Sequence, residues 1–171
     1  MDGFDEEYER EMAEAQTRAR AQGRGDVLDY LTLKAANDNL RARGVELLLT
    51  AFTALAGELN REGAGVTLGR ADSHRFRVGH STMVGPRLIL ARGLRSLTVE
   101  AGWPRSPRDG IVRGGGLASA RVSHFGNAKA GEDLLLLPAG EGPRWFSVAD
   151  TGARTELREQ HLRRHVFRLL E

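Results

Sequence analysis

The residues with the most chemistry in them are cations and histidines. His74-Arg75-Phe76-Arg77-Val78 alternates strictly, the mark of a half-buried strand. If Phe76 and Val78 face a core, Arg75 and Arg77 face the other way. The same two-residue period turns Arg121, with Ser119 and Ser123, away from Ala118, Ala120 and Val122. It also turns Trp145 and Ser147 away from Phe146 and Val148. Thr98 and Glu100 join them. An open sheet face with three arginines, hydroxyls and an indole is suited to stacking a base and holding phosphates, so nucleic acid is one expected partner. The plainer reading is a solvated face, because antiparallel sheets commonly leave one side wet.

His161 and His165 stand four residues apart, one helical turn, a spacing that can chelate zinc. The residue after the first histidine is Leu162 rather than a glutamate, Arg163 and Arg164 add repelling charge, and no third ligand is evident, so no metal is expected. Arg113-Gly114-Gly115-Gly116 offers backbone amides to an anion but lacks the Lys-Ser/Thr of a phosphate loop, and a strand rather than a helix follows. His80-Ser81 and Ser123-His124 are sequence neighbours, poorly placed as nucleophile and base. Asp72, Glu100 and Asp109 are isolated. No catalytic residue and no cofactor is indicated, and a non-enzymatic binding or protein-interaction domain asks least of the residues. A small enzyme or ligand binder remains open, with a pocket under the Pro- and Gly-rich stretch 104–116, near Trp103 and His124.

The chain has 171 residues and a net charge of +2, unevenly spread. Residues 1–26 hold eight acids against four arginines, and residues 63–130 hold ten arginines and one lysine against three acids. The second excess favours an anionic partner. Only Lys34 and Lys129 are lysines, so composition explains why the cations are arginines, though not why they gather there. There is no cysteine, which removes disulfides and thiolate chemistry. The acidic start has no apolar run, and nothing approaches the ~20 apolar residues of a membrane span, so the expectation is a cytoplasmic protein with no membrane partner.

The elements that must position these residues follow from periodicity. Phe4, Tyr8, Met12, Ala15 and Ala19 form a narrow stripe on a charged helix, suited to docking on its own domain, on a second copy in a homodimer, or on a protein partner. Asp26 is placed to cap a second helix, with breaks conceivable at Asn37–Asn39 or Gly44. Val45, Leu48, Leu49, Phe52, Leu55 and Leu59 recur at steps of three and four, predicting a long helix over 45–60. Short alternating runs follow, and a last helix is expected over 155–170. The order predicts an α+β fold: an antiparallel sheet of about six strands covered on one face by the long and C-terminal helices. Residues 1–25 read as a charged extension and 26–171 as one domain.

Overall fold

The computed structural model describes residues 3–21, 23 and 25–171, without the side chains of residues 3–5 and 19. Phe4 and Ala19 of the N-terminal stripe therefore lie outside the described side chains. The chain forms two compact units, residues 1–40 and 41–171. Their boundary falls inside a helix.

In the first unit, α1 (Gly3–Ala21) is followed by the opening turns of α2 (Gly25–Arg61). The Tyr8 hydroxyl donates to Asp38 Oδ2 at 2.6 Å, and Lys34 Nζ lies 5.4 Å from the centre of the Tyr8 ring. Tyr8 is thus engaged within its own chain. Asn37–Asn39 does not break α2, and Asp38 there is the acceptor that receives Tyr8.

In the second unit, the rest of α2 buries Val45, Leu48, Leu49, Phe52, Leu55, Ala56 and Leu59, the stripe expected from its spacing. Burying this stripe, at up to about 3 kcal/mol per large aliphatic side chain, holds the helix down. Gly44 does not end the helix either. It marks a close approach: a Cβ there would lie 2.5 Å from Leu136 Cδ2.

The sheet has seven strands rather than six: β1 (Thr67–Val78), β2 (Ser81–Arg92), β3 (Arg95–Gly102), β4 (Ala118–His124), β5 (Asn127–Leu137), β6 (Arg144–Val148) and β7 (Arg154–Glu156). They form an antiparallel meander in chain order. β2 runs unbroken through Gly85-Pro86. β7 takes the place expected for the start of the last helix. A tight turn, with Ala149 N bonded to Ala153 O and Gly152 N to Ala149 O, brings 154–156 back onto β6, so α3 (Glu159–Phe167) begins later than expected. A 3-10 turn, Arg168–Leu170, closes the chain.

Register decides which side chains face the helices. Val99 stands opposite Val122, Ala120 opposite Leu134, Leu134 opposite Ser147 and Leu136 opposite Trp145. Trp145 and Ser147 therefore lie on the helix side, the reverse of the parity expected from Phe146 and Val148. Trp145 is 8% exposed, and its Nε1 donates to Gly44 O at 2.8 Å. A large indole whose one donor finds a backbone acceptor gains more from burial than the smaller side chains beside it. On the opposite face, Leu135 is covered by Val112 and Gly116 of the 104–116 loop, so Leu134 to Leu136 are buried on both sides. No described helix is long and apolar enough to cross a membrane.

Candidate functional site

Four polar side chains form a chain of contacts where α3 meets the sheet. Glu132 of β5 stands opposite Val122 and shares its helix-side face, as do Ser147 of β6 and His124 at the end of β4. Buried Leu162, Val166 and Leu169 anchor α3 and its following turn, which presses His165 onto these residues. Ser147 Oγ donates to Glu132 Oε1. Glu132 Oε2 lies 2.6 Å from His165 Nε2, and His165 Nδ1 lies 2.9 Å from His124 Nε2. The two imidazoles are stacked, centroids 5.2 Å apart.

This wiring fixes protonation. Hydrogen bonding from His165, reinforced by Ser147, holds the Glu132 carboxyl below its ordinary range despite burial, so it is ionised and His165 Nε2 carries the proton between them. Burial, with the nearby charges of His165 and Arg168, lowers His124 to about 4, against a smaller opposing effect of Glu171. Both nitrogens of His165 and both oxygens of Glu132 are already engaged. Ser147 donates to Glu132 and not to an imidazole, and through these contacts the assembly latches α3 to the sheet.

Beside the latch opens a cleft of about 750 Å³, walled by β4, the 128–133 segment of β5, the 147–150 turn and α3. Its charges sort by partner. Arg121 is bound to Asp133 at 3.0 Å and to Arg77 O at 3.0 Å, and Glu132 is held in the latch. Among the described residues, Lys129, Arg164 and Arg168 line the cleft without an acidic partner, and Asp150 is the lining carboxylate left to oppose them. Arg164 lies in the last turn of α3 and Arg168 at its C-cap, four residues on. His161 accepts the Arg158 amide through Nδ1 at 3.1 Å, capping α3, and also lines the cleft. The arrangement is suited to holding a small anion.

The residues singled out by sequence are only partly brought together. His74 Nε2 lies 2.6 Å from Glu100 Oε1, and Glu100 stands opposite Arg121, so His74 and Phe76 share Arg121's face. Arg75 and Arg77 alternate with them onto the other face. Arg75 is 3.8 Å from Asp109, and Arg77 donates to His80 O at 3.3 Å. With Trp145 buried on the helix side, the four do not make one surface. His161 and His165 line one cleft, and no group of three metal-binding side chains occurs among the described residues. Trp103 and His124 sit at opposite ends of the β3–β4 pair, next to Gly102–Ser119 and at Leu97–His124 respectively. Glu132 and Arg168 were not singled out by sequence, Ser147 was expected on the opposite face, and Lys129 and Arg164 were noted only as charges.

No family model, curated protein or solved structure matches this chain.

Proposed function

We propose that this chain is a non-catalytic binding protein whose cleft beside α3 takes a small phosphate-bearing ligand. The observation that carries the proposal is the convergence of Lys129, Arg164 and Arg168, none with an acidic partner among the described residues, on a concave wall. Guanidinium forks match phosphate oxygens two at a time, and three cations around one recess lower the potential there for an anion. Glu132, spent on two donors, directs the anion toward α3 and away from the floor.

Isothermal titration with inorganic pyrophosphate at low salt tests this. One binding site is expected, weakened roughly tenfold or more by Arg164→Gln or Arg168→Gln, in line with hydrogen bonds to charged groups. Heats indistinguishable from dilution for the wild-type chain would sink it.

Self-association through the first unit is a second reading, favoured by Tyr30 and Leu33, which are 64% and 62% exposed and three residues apart on α2. Light scattering on Tyr30→Ser/Leu33→Ser checks it: a wild-type dimer should become a monomer.

A further inference from the structure

The cleft does not end at Arg168. That side chain also lines a small recess with Arg95, Ser96, Phe125 and Asn127, on the far side of His124. The recess lies between two hairpin turns that register places side by side: Leu97 stands opposite His124, and Phe125 N donates to Ser96 O at 3.0 Å. Each turn carries an exposed apolar residue at its apex, Leu94 at 96% and Phe125 at 81%. Folding normally hides a phenyl ring, so one held this far into solvent on a tight, well-paired turn stands out.

The charges around these tips have one sign in excess. Arg95 donates to Glu171 O at 2.9 Å, and Arg92 donates to Ala64 O at 2.9 Å and Leu169 O at 3.3 Å. Carbonyls fix Arg92 in place without cancelling its charge, whereas Arg95 is held against the acidic Glu171. Arg168 lines the cleft together with Lys129 and the recess together with Arg95, so cations continue from the one to the other, opposed locally by Glu171 and, at the cleft, by Asp150.

Resting on the phosphate reading of the cleft, we infer that the ligand is a single-stranded nucleic acid, one phosphate held by Lys129, Arg164 and Arg168 and a neighbouring base stacked on Phe125. A cation track with an aromatic beside it is the general solution for unpaired strands, because every base offers a π-face and every link a phosphate. A ring at a hairpin apex reaches only a base that is already out of a duplex. No side chain here is arrayed to read base edges, so recognition is tolerant of sequence. The site also differs from the arginine face expected from sequence: it uses α3 and the β4–β5 turn, and neither Arg75 nor Trp145.

Fluorescence anisotropy with a labelled oligothymidine of about a dozen nucleotides, near the upper end of single-strand site sizes, tests the inference beside the pyrophosphate titration. The oligonucleotide should bind more tightly than pyrophosphate, lose affinity steeply with salt, and outcompete the matching duplex. Phe125→Ala should weaken it by roughly five- to a hundredfold, the range for loss of one stacked base. Phe125→Trp should retain it, and neither change should alter pyrophosphate binding. Pyrophosphate binding with no gain for the oligonucleotide would overturn this inference and leave the proposed function standing. Absence of pyrophosphate binding would remove both. Full oligonucleotide affinity in Phe125→Ala, or a Phe125-dependent association with anionic vesicles or with a second copy of the chain in place of the strand, would also overturn it.

Discussion

Glu132 Oε2 accepts a hydrogen bond from His165 Nε2 at 2.6 Å, and that contact ties α3 to the fifth strand. Because Arg164 precedes His165 and Arg168 follows one turn later, whatever holds His165 also sets where the cleft's two arginines stand. The latch and the cleft are therefore one device: its inner side is spent on packing, and its outer side is left cationic.

Ser147→Ala removes one of the two donors to Glu132 and leaves Oε1 without its partner. A part-buried carboxylate oxygen so orphaned costs about 1–3 kcal/mol. At ~2–4 °C per kcal/mol for a chain of this size, the thermal midpoint should fall by several degrees, as read by circular dichroism. An unchanged midpoint would mean that the latch carries no stability.

Acid should weaken the fold in two stages. The folded His124 takes its proton only near pH 4, whereas the unfolded residue does so near 6.5. The unfolded state then binds more protons between these values, so stability declines as pH falls from about 6.5 to about 4. Glu132, lowered in the fold, contributes stability above its ordinary range that is lost as pH drops through its folded value. His124→Gln keeps a polar partner for His165 but cannot titrate. Its thermal midpoint should be flatter than wild type between pH 6.5 and 4, and equal slopes in the two proteins would count against the assignment.

Gly44→Ala should reverse the usual helix rule. On a solvated helix that change stabilises by about 1 kcal/mol, but here the new methyl meets Leu136, itself fully buried. Overpacking of about 1–3 kcal/mol is expected instead. Urea titration followed by tryptophan fluorescence reads it, since Trp145 bonds to the Gly44 carbonyl. A gain in stability would show that the approach is looser than it stands here.

Much of this fold was legible from periodicity alone. The 45–59 stripe carries enough apolar contrast to fix an element and its inward face, and the α+β arrangement followed. The alternation around Phe76 marked a strand but not its facing, because Phe76 lies on the same face as Arg121. β6 was misread because each of its parities carries a large aromatic ring, Trp145 on one and Phe146 on the other. Trp145 and Ser147 alternate with Phe146 and Val148, and only the indole's bond to Gly44 decides between them. β7 is three residues long and has no pattern of its own. The cleft was less legible still. Lys129, Glu132, Ser147 and Arg168 lie on three different elements, and only strand register and the seating of α3 bring them together.

Tyr8→Phe keeps the ring under Lys34 and removes the hydroxyl that reaches Asp38. The loss should be about 0.5–1.5 kcal/mol, confined to the first unit. Amide exchange should accelerate over residues 3–40 while the sheet amides keep their protection. A uniform acceleration through the sheet would contradict this.

The central claim is that phosphate-bearing ligands enter the cleft walled by α3 and β5, and the most direct measurement is a residue-resolved NMR titration of the labelled chain with inorganic pyrophosphate. The account predicts shifts clustered at Lys129, Arg164, Arg168 and the 147–150 turn, saturating together. Shifts gathered instead around Arg75, Arg77 and the 104–116 loop, or none at millimolar ligand, would contradict it.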